Sequence, residues 1–266
     1  MIIDDLTDKQ LEILLLIYRF RFLTRIQIQQ FLNHKDYSLV NRYLKTLTNQ
    51  KLINRIYSTE RADINNPAIY FLATKSKSLL KDYEKCNPDV LGRVYREKHR
   101  SETFRNHCLL LADLYFKFQE AARKREAICH FYTATDISDI AYAPLPLPDA
   151  YITISEACNN SVIVKEGRKH IKRYFLDIFN DGMPMFAIRR RIFQYCRYYT
   201  GNYWQDHNKD PFPKIFLICP NLRVQKSLLK SIRQTLDTED ADISFILGLK
   251  DDIQKRGIKG NTWEKA

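Results

Sequence analysis

Asp149 follows Pro148 at the opening of a β-rich run, Asp149–Ile154, and Asp177 sits inside the next long β-rich run, KRYFLDIF (Lys172–Phe179). Two carboxylates on neighbouring strands can share a divalent cation, Mg2+ or Mn2+, which activates water against a phosphodiester. A PD…(D/E)xK nuclease site also needs a lysine two residues after the second acid, where strand alternation turns it to the same face. Phe179 holds that position, and a phenyl ring neither orients water nor meets developing charge. The helix that follows offers Arg189, Arg190 and Arg191, with Arg191 the candidate third member, but arginine is a poor proton acceptor at neutral pH. Asp149, Asp177 and Arg191 are therefore the catalytic alternative, with the two aspartates as metal ligands. The leading expectation is a domain that does not cut and carries no cofactor.

A second group of residues could read nucleic acid. Over residues 38–50, Val40, Leu44 and Leu47 mark one helical face, while Asn41, Arg42, Lys45, Thr46 and Asn49 mark the other. Ser38 stands at the start of this helix as its expected N-cap. A helix of this width fits a major groove, where amide, hydroxyl and guanidinium groups pair with base edges. Behind it come a short β-rich run, LINRIY (Leu52–Tyr57), a polar loop from Ser58 to Pro67, and a second run, AIYFL (Ala68–Leu72). Arg55 and Arg61, on the strand and loop of this pair, are placed to touch phosphate or a minor groove. Taken singly, each of these polar residues also fits an ordinary solvent face. The ordered combination is what points to DNA.

The elements ahead of this helix complete the pattern. Thr7 is a good N-cap for a helix with Leu11, Leu14, Leu15 and Tyr18 at helical spacing. Thr24 can cap a second, short helix burying Ile28, Phe31 and Leu32, and Thr74 a further helix with Leu79 and Leu80. Three helices, a two-stranded hairpin and a helix make the winged helix-turn-helix order. The expected division is a winged helix over 1–83, a connector over 84–100, an α/β domain over 101–249 and a basic tail over 250–266.

Composition sets the bounds. The 266 residues carry a net charge of +12, with 43 Lys and Arg against 31 Asp and Glu. A surplus of this size attracts polyanions, and it is denser in the N-terminal part, with 23 basic against 15 acidic residues over 1–126 and 20 against 16 over 127–266. Only 7 glycines are present, and neither GxGxxG nor GxxxxGK[ST] occurs, which excludes the usual glycine-rich phosphate cradles. The six cysteines are widely spaced with no CxxC, so a zinc site is not expected. The opening MIIDDLTDKQ is acidic and reads as a helix start, and no run is long and apolar enough to span a bilayer. A cytoplasmic protein with reduced thiols and no membrane contact is the expectation.

In the second half the periodicity predicts a long helix from Ser101 to about Arg125, strands at Ala127–Thr133, Asp149–Ile154 and Lys172–Phe179, and a helix over Pro184–Thr200. An apolar, central strand at Lys214–Cys219, a helix over Leu222–Leu236 and a strand at Ile243–Leu249 follow. This order defines an α/β domain with a mixed sheet, and the whole chain an α+β protein. The helix over Pro184–Thr200 interleaves Arg189, Arg190, Arg191 and Arg197 with Phe193, Tyr195, Tyr198 and Tyr199. That pattern suits phosphate pairing and base stacking. It equally suits an amphipathic helix with its aromatic residues against the sheet.

The layout resembles the replication-relaxation family of plasmids and other mobile elements. The matching segments are Leu6–Leu32, Val40–Ile56, Ala68–Leu80, His107–Phe118, Leu147–Ile154, Tyr174–Gly182 and Arg191–Tyr199. The resemblance implies a winged helix joined to a domain of restriction-endonuclease-like fold. It implies an acid at Asp177, often a second at the position of Phe179, a basic residue at Arg191 and a tyrosine at Tyr195. This chain keeps the first acid and lacks the second. By the same match His107 becomes a site residue, whereas on its own a histidine there reads as an anchor of helix to sheet. The function the resemblance implies is a DNA-binding accessory of replication, relaxation or mobilisation, and with the winged helix the leading expectation is a sequence-preferring binder of double-stranded DNA. Its partners would be the duplex, a replication or mobilisation protein, and a second copy in a homodimer. A metal-dependent nuclease and a winged-helix transcription regulator are the alternatives.

Overall fold

The computed structural model describes residues 6–57, 67–156, 171–258 and 262–266. The chain divides into two compact units, Met1–Asp113 and Leu114–Ala266.

The first unit opens with α1 (Asp8–Phe20), fixed at its start by a reciprocal capping box between Thr7 and Gln10. Two residues, Leu23–Thr24, form β1. Thr24 also caps α2 (Arg25–Phe31) through a second capping box with Gln27. The Gln27 amide donates to Leu109 O at 2.9 Å and to Asp113 Oδ1 at 2.7 Å, so an amide buried beneath the helix is fully used. After α3 (Tyr37–Asn49) come β2 (Ile53–Ile56) and β3 (Ile69–Leu72). The sheet order is β1-β3-β2, all antiparallel. This order of helices and strands is that of a winged helix, with a three-stranded sheet where the sequence predicts a two-stranded hairpin. Ile13, Leu14, Ile17, Val40, Leu44, Leu47 and Ile53 form its core.

Two expected caps differ. Asp36 caps α3, accepting from Ser38 N at 2.7 Å, and this pushes the Asp36 carboxyl below its ordinary range. Ser38 is thus inside the first turn. The next helix, α4 (Ser76–Leu80), starts after Lys75, without a side-chain cap from Thr74. Residues 84–100, expected as a connector, hold α5 (Pro88–Gly92) and a short 3-10 helix (Val94–His99). Leu91 and Val94 are buried there, and Glu97 accepts from Arg21 Nε at 3.2 Å. Then α6 (Glu102–Arg123) begins, and the division between the units falls within it.

The second unit is a six-stranded mixed sheet in the order β4-β5-β6-β7-β8-β9. Its strands are β4 (Ala127–Thr133), β5 (Ala150–Glu156), β6 (Ile171–Ile178), β7 (Lys214–Cys219), β8 (Phe245–Leu249) and β9 (Trp263–Lys265). The first three are antiparallel neighbours, β6, β7 and β8 run parallel, and β9 closes the edge antiparallel to β8. The parallel pairs need crossovers, supplied by α7 (Met185–Thr200) with the short α8 (Tyr203–His207), and by α9 (Leu222–Glu239).

Alternation on β7 divides the layers. Ile215, Leu217 and Cys219 join the core that α7 and α9 cover. Phe216, on the other face, stacks on Tyr174 at 4.5 Å and Trp263 at 4.6 Å and meets Phe118 of α6 at 5.9 Å. Residues 250–266, expected as a tail, therefore contribute structure: α10 (Lys250–Arg256), then β9 with the Trp263 ring over the sheet. Both tryptophans of the chain, Trp204 and Trp263, lie in this second unit.

Cys86, Cys129, Cys196 and Cys219 are free and buried, and Cys108 is buried as well. Burial pushes the Cys86, Cys129 and Cys196 thiols up to about 11 and Cys219 to about 12. Because the thiolate is the nucleophile, a Cys158→Ser variant should resist iodoacetamide in mild alkali until denaturant is added. Fast labelling of the native variant, read by mass spectrometry, would contradict this packing.

Candidate nucleic-acid interface

The core face of α3 is fixed by Val40, Leu44 and Leu47, each at most 1% exposed. Rotation of the helix is thereby set, and Ser38, Asn41, Arg42, Lys45 and Asn49 emerge together on the opposite, exposed face, with Thr46 half-buried at its margin. Tyr37, at the first position of α3, is 61% exposed. An aromatic side chain there extends the candidate face one position ahead of the Ser38 start that the sequence predicts.

On the wing, Arg55 faces outward on β2, paired in register with Tyr70 on β3. Its guanidinium lies over the ring of exposed Tyr57 at 5.1 Å. Arg61 lies outside the described residues. On α7, Arg190 is exposed, as are Arg189 and Arg197, which face solvent with it.

Arg191 is placed otherwise. It is 8% exposed, and its donors are taken up inside the second unit. Nε donates to Asp177 Oδ2 at 2.6 Å and Nη2 to Asp177 Oδ1 at 3.2 Å. Nη2 also reaches Tyr195 Oη at 2.8 Å, and Nη1 donates to the Pro146 carbonyl. The side chain expected at the DNA surface is thus an internal clamp between β6, α7 and the loop before β5.

The aspartates come together as the sequence implies. Asp149 N lies 3.4 Å from Asp177 Oδ1, and Asp149 Oδ2 accepts from Ile178 N at 2.7 Å. Phe175 and Phe179 share Asp177's side of β6 and pack into the core beneath α7 and α9. Phe179, 4% exposed, fills with hydrocarbon the place where the nuclease pattern needs an ammonium.

Burial pushes the Asp177 carboxyl up, and Arg191 opposes this by charge and hydrogen bonds while Asp149 adds to it. Burial also works against the Arg191 charge, but Tyr195 and Asp177 outweigh it and hold the guanidinium protonated. Tyr195 is fully buried, and burial first, then the Asp177 charge, hold its phenol protonated.

Both Asp177 oxygens therefore face a fixed organic cation, and one Asp149 oxygen is engaged by backbone. A divalent ion needs several oxygen ligands around an open position. This set does not fit one: the ion would have to expel a buried, hydrogen-bonded guanidinium. Among the described residues no group of three or more His, Cys, Asp or Glu side chains is arranged to hold a metal. His107 is half-buried on α6, its ring parallel to Phe104 at 6.5 Å. It belongs to the first unit, and the aspartates to the second.

The fold and site define a two-part protein: a winged helix-turn-helix followed by a mixed-sheet α/β domain whose paired aspartates are closed off by an arginine. The replication-relaxation family model matches residues 14–212, and the chain belongs to that family. No curated protein matches the chain. Solved structures give distant likenesses. A mutant of MarR from E. coli complexed with operator DNA is 17% identical, with 44% of this chain and 76% of that one covered and a TM-score of 0.27. A mutant of Lactococcus lactis ZitR is 21% identical, with 47% and 77% covered and a TM-score of 0.27. The restriction endonuclease FokI bound to DNA is 12% identical, with 96% and 47% covered and a TM-score of 0.30. At these scores the fold rests on the strand order and register given above. Among the described residues no helix is long and apolar enough to cross a membrane.

Proposed function

We propose that this protein is a sequence-preferring binder of double-stranded DNA that acts without cutting it, as an accessory to replication, relaxation or mobilisation of a plasmid or other mobile element. The observation that carries the reading is the exposed face of α3. Its packed side fixes the rotation, and five candidate groups, Ser38, Asn41, Arg42, Lys45 and Asn49, project together on a helix preceding a wing. Arg42 and Lys45 reach base edges and phosphates from a major groove, and Arg55 holds the wing to the backbone. The replication-relaxation assignment supports the setting, and a replication or mobilisation protein is the protein partner it suggests. A homodimer would present two α3 helices to half-sites about 34–36 Å apart, one helical turn.

The arginine clamp on Asp177 supports the non-cutting part, and with it a function independent of Mg2+ or Mn2+. Supercoiled plasmid incubated with the protein and either ion should be retarded on a gel and stay supercoiled. Metal-dependent nicking that Asp149→Asn abolishes, with DNA retardation retained, would establish the nuclease instead.

A further inference from the structure

The outward face of α7 is not the uniformly polar face that a surface helix ordinarily presents. Phe186, Arg190, Phe193 and Arg197 follow one another at helical spacing, with Arg189 beside them. Phe186 is 73% exposed and Phe193 42%. The rise of a helix spreads this stripe over about 16 Å. The Arg197 guanidinium lies over the Phe193 ring at 5.9 Å.

Beside the stripe opens a groove of about 700 Å³, bounded by Tyr142, Leu145, Phe193, Arg197, Tyr198 and Tyr203. Its aromatic walls are held in place. Tyr142 stacks on His207 at 4.8 Å, Tyr198 Oη donates to the Tyr142 carbonyl at 2.7 Å, and Tyr203 lies parallel to Tyr198 at 5.8 Å. Leu145 and Tyr203 are exposed at its rim. Among the described residues that line it, none is acidic.

Charge selects the occupant. Self-association across this stripe would bring Arg189, Arg190 and Arg197 against their own copies, and like charges at a contact are unfavourable. A polyanion neutralises them. A duplex offers phosphates but keeps its base faces stacked inside, whereas a single strand offers phosphates and open π-faces together.

We propose that the outward face of α7 and its adjoining groove form a binding site for single-stranded DNA, with bases stacked on Phe186 and Phe193 and the backbone paired with Arg189, Arg190 and Arg197. Tyr203 and Tyr142 give the groove walls against which a further base lies. The site uses no residue of α3 or the wing, so it stands or falls separately from duplex recognition.

Fluorescence anisotropy of a labelled oligothymidylate, beside a labelled duplex, tests this on the full chain. The wild type binds the oligothymidylate, and Phe186→Ala with Phe193→Ala weakens that binding by about tenfold or more while duplex affinity stays within about twofold. Arg190→Glu with Arg197→Glu also weakens it, and decides the matter if the phenylalanine variant loses its native circular dichroism. Arg42→Ala with Lys45→Ala gives the opposite pattern, losing duplex and keeping oligothymidylate. Absence of oligothymidylate binding by the wild type, or unchanged binding in both α7 variants, overturns the proposal. So does a wild-type dimer in sedimentation that the phenylalanine substitutions convert to monomer, because the face is then a self-contact.

Discussion

Replacing Arg42 and Lys45 together by alanine is expected to lower affinity for duplex DNA by about two orders of magnitude, since each base contact is worth about 1–3 kcal/mol. The target is a duplex that the wild-type protein itself selects from a randomised pool, which supplies the sequence preference to be lost. Both side chains are exposed on the face of α3 opposite Val40, Leu44 and Leu47, so the substitutions leave the core intact and the melting temperature nearly unchanged. A residue that reads a base costs most on the selected duplex and relaxes preference at one position. A residue on phosphate costs equally on all duplexes and reduces the slope of log affinity against log salt by about one. Unchanged affinity on every duplex would remove α3 from the interface. A wild-type affinity insensitive to salt would contradict phosphate-driven binding altogether.

Removing the Arg191 side chain is expected to cost about 3–5 kcal/mol of stability, the usual result of stranding one member of a buried ion pair. In a unit of this size that corresponds to a fall of roughly 10 °C in melting temperature. Arg191→Met leaves Asp177 facing hydrocarbon and Tyr195, with the Pro146 carbonyl losing its donor. Adding Asp177→Asn removes the stranded charge, so the double variant should be more stable than Arg191→Met alone.

The sign with pH follows from the same burial. Once Arg191 is gone, its charge and hydrogen bonds no longer oppose the upward push on Asp177, and only the smaller effect of the Tyr195 hydrogen bond remains against it. A carboxyl whose folded pKa exceeds its unfolded value stabilises the fold fully below the unfolded pKa, and that stabilisation is lost as pH rises through the folded one. The deficit of Arg191→Met relative to wild type should therefore be greatest near neutrality and shrink towards acid. Urea titrations at several pH values read this directly. A deficit under about 1 kcal/mol at neutral pH would mean that the pair is dispensable.

Much of this fold is written locally. Thr7 and Thr24, each three residues before a glutamine, announce the starts of α1 and α2, and the capping boxes form as the spacing implies. The run KIFLIC has the continuous apolar character of a strand covered on both faces, and β7 is interior. At α3, Asp36 and Ser38 are both good caps two positions apart, and only the turn geometry selects Asp36. Two residues carry no periodicity, so β1 had no signal. The Asn87-Pro88 start of α5 and the lone Trp263 in a polar stretch were signals of structure outweighed by the surrounding charge.

The site was legible as an inventory and not as a set of contacts. Asp149, Asp177, Arg191 and Tyr195 are all recognisable in the sequence, and Phe179 in the lysine position is visible there as well. That Arg191 turns inward while Arg190 turns outward depends on the phase of α7 against β6. One helical residue is a rotation of about 100°, and the arginine triplet Arg189–Arg191 does not reveal which member faces the sheet. Ile188, Ile192 and Tyr195, all fully buried, fix that phase, and with it the fate of Asp177.

The placement of Trp204 and Trp263 in the second unit gives the molecule a built-in label. Indole emission on heating reports the mixed sheet alone, while far-ultraviolet ellipticity sums the helices of both units. A single sample followed by both signals separates the melting of the winged helix from that of the mixed-sheet domain. Duplex bound through α3 should then delay the ellipticity change that the emission does not share.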